Sequence, residues 1–167
     1  ALAIGRTCGL SGYVGWQATV IAQLCGIALE EGIEVSFVQG LIQRLWLPLG
    51  PELRPSNWPW PVKICMLGAC EVTVRGLPLD RTRKAPHRLL ELLAAIVASG
   101  GEAVPVARLT DVLWPEADGD QAQENFKKSL ARLRKLLDVE AAILWQDGKI
   151  TLNRHLCWVD ALAFEAI

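Results

Sequence analysis

Only two histidines, His87 and His155, occur in the 167 residues. His155-Leu156-Cys157 offers two metal ligands, yet no second pair lies at zinc-finger spacing. Asp118-Gly119-Asp120 looks like part of a calcium loop, but its glycine is misplaced and no Glu closes the loop. There is no Walker loop, no GxGxxG after a strand and no GxSxG. These absences remove the constellations of a metal enzyme, a hydrolase and a nucleotide-dependent enzyme, so neither catalysis nor a cofactor is expected. CxxC pairs are missing too, and the five cysteines (Cys8, Cys25, Cys65, Cys70, Cys157) are an odd number at irregular spacing. Reduced thiols in a cytosolic protein are expected. The longest apolar stretch, Val14–Leu29, is interrupted by Gln17, Thr19 and Gln23 and is short for a membrane span. Only Arg6 lies upstream of it and no cleavage pattern follows, so no signal peptide is expected. The first residue, Ala1, suggests a piece of a longer chain.

An excess of one charge is also lacking. The net charge is -1, which read alone argues against binding to nucleic acid. The composition, 51% hydrophobic and 21% charged, is that of a globular protein. The charges are unevenly spread. Residues 1–61 carry three basic and four acidic side chains, whereas residues 62–167 carry 14 of each. Two parts with different surfaces follow.

In the first part, Tyr13–Glu30 has apolar residues at helical spacing, and Gly32 reads as its C-cap. Val35–Leu47 reads as a second helix. The sequence thus predicts a helical hairpin over 1–47. Pro48–Pro61 holds five prolines and can be neither helix nor central strand. It reads as a linker over 48–61, with Trp58 and Trp60 docking it on a neighbour.

From residue 62 the period changes. Val62, Ile64 and Met66 alternate with Lys63, Cys65 and Leu67, and Cys70, Val72 and Val74 alternate with Glu71, Thr73 and Arg75, around a turn at Gly68-Ala69. That pattern predicts a strand hairpin, followed by a short extended piece at Leu77–Leu79. Helices are predicted over about Ala85–Ser99, Pro105–Leu113 and Asp120–Leu137. Asp120 and Gln123 have capping-box spacing at the start of the last of these. Its residues Ala122, Phe126, Leu130, Leu133 and Leu137 form one inner face. Two short strands, Ile143–Gln146 and Lys149–Leu152, flank Asp147-Gly148, a strong hairpin signal. Trp158 and Val159 precede a fresh helix start at Asp160. Trp114 and Trp158 have apolar neighbours and are expected in the core.

Strands, two helices, a loop, a longer helix and a hairpin follow one another in the order of a winged helix-turn-helix. At about 100° per residue, with Phe126 facing inward, Gln121, Glu124, Lys128, Arg132 and Lys135 fall on the outer half of the third helix. Asn125, Lys127 and Arg134 flank them. Beyond the cap this helix carries five cations against one anion. A helix of this kind fits the DNA major groove, where Lys and Arg reach phosphates or guanine edges. It also fits a plain solvated face. Lys149 stands near the hairpin tip, within reach of a backbone or minor groove. Arg81, Arg83, Lys84 and Arg88 form a second cluster at the start of the first of the three helices.

Arg88-Leu89-Leu90-Glu91-Leu92-Leu93, Val104–Leu113, Leu113-Trp114-Pro115-Glu116-Ala117-Asp118-Gly119-Asp120 and Ser129-Leu130-Ala131-Arg132-Leu133-Arg134-Lys135-Leu136-Leu137 carry a resemblance. Together they resemble the DNA-binding domain of bacterial transcriptional activators of the SARP type, which is similar to the OmpR/PhoB winged helix. Cys157-Trp158-Val159-Asp160 and Phe164-Glu165 look like the region after the wing in some of these regulators. The match spans about 62–167. Leu24–Leu45 and Trp58-Pro59-Trp60-Pro61 are similar, more vaguely, to the helical segment preceding that domain in MalT-like regulators.

The resemblance implies an α+β fold, a winged helix-turn-helix at 62–167 preceded by a short helical hairpin. It implies a transcriptional regulator in which Gln121–Leu137 enters the major groove and the hairpin is the wing. The resemblance does not settle which side chains touch bases; the helical angles and the hairpin tip give the expected DNA contacts as Gln121, Asn125, Lys127, Lys128, Arg132, Arg134, Lys135 and Lys149. Expected partners are double-stranded DNA and RNA polymerase, with a homo-oligomer allowed, no membrane and a cytoplasmic location. A protein-interaction module of the same fold, without direct DNA contact, is the alternative.

Overall fold

A computed structural model describes residues 2–8, 17–45, 47, 49, 55–79 and 86–165. The protein is α+β and divides into two units, Ala1–Pro59 and Trp60–Ile167.

The first unit contains α1 (Leu2–Thr7), α2 (Ala18–Glu30) and α3 (Val35–Leu45). The expected start of α2 at Tyr13–Trp16 lies outside the described residues. Gly32, at φ +67°, ends α2: its N–H donates to Leu29 O and that of Ile33 donates to Ala28 O. This double closure satisfies two carbonyls that a helix end leaves open. Ala22, Cys25, Ala28 and Leu29 of α2, with Val38, Leu41 and Ile42 of α3, are buried. Arg6 and Glu34 pair at 2.8 Å. Much of Pro48–Pro61 lies outside the described residues, but its end is tied down. Trp58 is buried, and Asn57 Nδ2 donates to Leu29 O at 2.7 Å while Asn57 O accepts from Gln39 Nε2 at 2.7 Å. A polar clasp thus joins the aromatic anchor expected from the sequence.

The second unit starts with β1 (Val62–Cys65), β2 (Glu71–Val74) and β3 (Leu77–Pro78). Val62 pairs with Val74 and Ile64 with Val72, so the apolar residues share one face. Arg75 and Gly76, both at positive φ, make the two-residue turn to β3. Next come α4 (Pro86–Ala98), β4 (Val104–Pro105), α5 (Val106–Leu113) and α6 (Gly119–Leu137). A 3-10 turn at Glu140–Ala142 leads to β5 (Ile143–Gln146), β6 (Lys149–Leu152), β7 (Cys157–Val159) and α7 (Asp160–Phe164).

Two sheets result, with orders β3-β2-β1-β7 and β4-β6-β5. Strands β4 and β7 are absent from the sequence reading. Each is two or three residues long and pairs with a distant segment: Val104 with Ile150, Val62 with Cys157. The core lies between the sheets and helices α4–α6, and includes Ile64, Leu92, Leu93, Ile96, Phe126, Leu130, Leu133 and Ile150. Each such side chain, fully buried, contributes about 1.5–3 kcal/mol.

Three details differ from expectation. The N-cap of α6 is Asp118, not Asp120, because the Asp118 carboxylate accepts from Gln121 N at 2.9 Å. Asp120 lies inside the first turn, where its charge suits the helix dipole. Helix α5 starts at Val106 because Pro105 is held in β4. Trp158 does not join the core: Cys157 and Val159 do, and the strand period of two turns Trp158 to the other face. There Lys63 Nζ sits 4.8 Å from the ring centroid.

Candidate nucleic-acid interface

Helix α6 is fixed from three sides. Ala122, Phe126, Leu130, Leu133 and Leu137 are all buried, which fixes the rotation of the helix about its axis. At its C-terminus, Asp138 takes the left-handed conformation and Arg75 donates to Asp138 O at 3.3 Å. A cation there meets the negative end of the dipole. Along its flank, Arg134 donates from Nε and Nη2 to Ile143 O, at 3.1 and 2.8 Å. The hairpin is held against α6 again where Trp145 meets Phe126 edge-on, 5.6 Å between ring centroids.

The hairpin turn itself is pinned. Asp147 and Gly148 both have positive φ, and Gly148 O accepts from Val106 N at 2.9 Å. That bond satisfies an open N–H at the start of α5. Gly101 ties the same sheet to the end of α4: its N–H donates to Ile96 O and its carbonyl accepts from Leu152 N. A Cβ at Gly101 would lie 3.1 Å from Leu162 Cδ1, so no larger residue fits without displacement.

Of the eight expected contact residues, the structure leaves Gln121, Lys128, Arg132 and Lys135 exposed on one outer strip of α6, with Asn125 half-buried on one flank of it and Lys127 exposed on the other. Lys128 pairs with Glu124 at 2.9 Å. That hydrogen bond and charge hold the Glu124 carboxyl below its ordinary range. Both groups are well exposed, so the pair is weak and yields readily to a stronger anion. Gln121 Nε2 donates to Asn125 Oδ1 at 3.3 Å. Lys127, Arg132 and Lys135 have no ion pair among the described residues.

The remaining two expected residues lie apart from the strip and its flanks. Arg134 is half-buried and occupied by the Ile143 carbonyl. Lys149 is exposed on the hairpin, on a separate element. In the second basic cluster, Arg81, Arg83 and Lys84 lie outside the described residues. Arg88 approaches Glu91 at 3.7 Å and Leu113 O at 3.4 Å. Arg108, exposed on α5 without an ion pair among the described residues, is a cation the sequence reading does not single out. Its signal is the helical spacing: Val106, Leu109 and Thr110 are buried and leave Arg108 outside.

Among the described residues, no group of three or more His, Cys, Asp or Glu could hold a metal ion. No helix among them is long and apolar enough to cross a membrane. The arrangement offers cations and amides on a rigid helix. Compared with known proteins, the chain matches no family model, no curated protein and no solved structure.

Proposed function

We propose that residues 62–167 form a winged helix-turn-helix that binds double-stranded DNA sequence-specifically, as the output module of a bacterial transcriptional regulator. In this reading α5 and α6 are the helix-turn-helix, α6 enters the major groove, and the β5–β6 hairpin is the wing. The observation that carries the reading is the outer strip of α6. Lys128, Arg132 and Lys135 recur every three to four residues on it, and Ala122, Phe126, Leu130, Leu133 and Leu137 on the opposite face are locked in the core. A groove-reading helix needs its register fixed beforehand, because ordering it on binding would subtract from affinity. The near-neutral chain supplies no large positive field, so the strip must carry the electrostatic part of binding.

The test is retention on duplex DNA as a function of salt. The Lys128/Arg132/Lys135→Ala variant removes only exposed side chains and should fold. It should lose affinity for all sequences, and its salt slope should flatten by roughly 0.9 for each phosphate contact removed. A folded variant that binds as tightly as the parent overturns the assignment of this surface.

One observation favours a second reading, a module that docks on protein. Leu144 and Trp145 are 44% and 40% exposed on β5. Failure of the parent to bind any duplex at low salt would select that reading.

A further inference from the structure

The strip of α6 is chemically divided. Its C-terminal half presents Arg132 and Lys135, and its N-terminal half presents the amide of Gln121 with that of Asn125 half-buried beside it. Cations neutralise phosphates without regard to sequence. Amides carry both a donor and an acceptor, so they read base edges.

The two amides are one helical turn apart and already joined, Gln121 Nε2 donating to Asn125 Oδ1. Neither has another hydrogen-bond partner among the described residues. The bond leaves Asn125 Nδ2 as a donor and Gln121 Oε1 as an acceptor with no further partner among the described residues. Adenine presents the complement in the major groove: N7 accepts and N6–H donates. Guanine presents acceptors at both places, N7 and O6, and would set O6 against Gln121 Oε1. Glu124, the other acceptor nearby, pairs with Lys128 at 2.9 Å in the free protein.

We infer that Gln121 and Asn125 act as one composite reader of an adenine, Asn125 Nδ2 donating to N7 and Gln121 Oε1 accepting from N6–H. The inference rests on the DNA-binding reading above and adds to it a specified base. The pair costs little entropy to align, since each amide orients the other before DNA arrives. The cations of the C-terminal half then hold the helix at the depth where the amides reach.

The experiment uses the full chain. Bound fragments are selected from a randomised duplex library with the parent, with Asn125→Ala and with Gln121→Ala. Alanine is the strongest helix former, so both variants should fold, which circular dichroism checks. The parent should select an adenine at a fixed position, and each variant should lose that preference by about 5- to 150-fold while keeping the rest of the site. Replacing that adenine by 7-deazaadenine should weaken the parent at least fivefold and leave Asn125→Ala indifferent. If the parent binds DNA but the variants select the same bases, the adenine assignment is overturned and the DNA-binding reading stands. If the parent binds no duplex, both fall.

Discussion

Replacing Arg134 by Met separates the cations that build the fold from those that face solvent. The side chain keeps its reach along α6 but loses both donors to Ile143 O, at 3.1 and 2.8 Å. A hydrogen bond to a charged group is worth about 1.5–3 kcal/mol. Arg134 also lies in the last turn of α6, where a cation adds about 0.3–1 kcal/mol through the dipole. Ile143 is fully buried, so its carbonyl has little access to replacement water. The expected loss is about 2–3 kcal/mol. In a unit of this size each kcal/mol lowers Tm by about 4 °C, so thermal unfolding followed by circular dichroism should show a fall of about 8–12 °C. Arg132→Met is the control: Arg132 is exposed with no ion pair among the described residues, and the change should stay within about 0.5 kcal/mol. Duplex affinity measured well below both transitions should reverse the order, with Arg132→Met the weaker binder. An Arg134→Met protein as stable as the parent would refute the role of the guanidinium as a clamp. Equal losses of affinity in the two variants would refute the division of labour.

Two further outcomes follow from local chemistry. Asp118→Ala removes the carboxylate that accepts from Gln121 N and should cost about 1 kcal/mol, whereas Asp120→Ala should cost less; denaturant midpoints check the order. Burial pushes the Cys157 thiol up to about 12, from 9.0 unfolded, and Sγ keeps its proton for Ala142 O at 3.5 Å. Between those values the unfolded chain has released the proton and the folded one has not. Stability is therefore intact below pH 9 and falls above it, by about 1.4 kcal/mol per pH unit. Denaturation of the parent and of Cys157→Ala at pH 8 and pH 10 should show a pH effect smaller in the variant by that amount.

What the sequence makes legible is what neighbours in the chain decide. Asp147-Gly148 specifies its own turn, and the strands around it pair as Gln146 with Lys149 and Ile143 with Leu152. The inner face of α6 is legible because helical spacing alone selects Ala122, Phe126, Leu130, Leu133 and Leu137. The cap of α6 is not, since Asp118 and Asp120 both have suitable side chains and only backbone geometry chooses between them. Strand β7 is hidden because three residues carry too short a pattern, and its partner is about 95 residues away. In the candidate site, helical angles place Lys128, Arg132 and Lys135 outside. They cannot show that Arg134 is taken by Ile143 O, a contact set by how the hairpin packs.

The pairing of β7 with β1 has a consequence in time. Strand β1 is central only once β7 lies beside it, and Asp160 then accepts from Met66 N and Leu67 N at 2.7 and 3.0 Å. The first strand of this unit therefore keeps one open edge while nearly a hundred further residues are synthesised. At ~5–20 residues per second, that edge waits on the order of ten seconds before its partner leaves the ribosome. Closure is then a long-range step, which slows folding relative to the helices that precede it. An unpaired edge is a template for foreign strands. The exposure is brief only if synthesis runs through Val159 without a pause, so a stalled or truncated chain is the species most prone to aggregate.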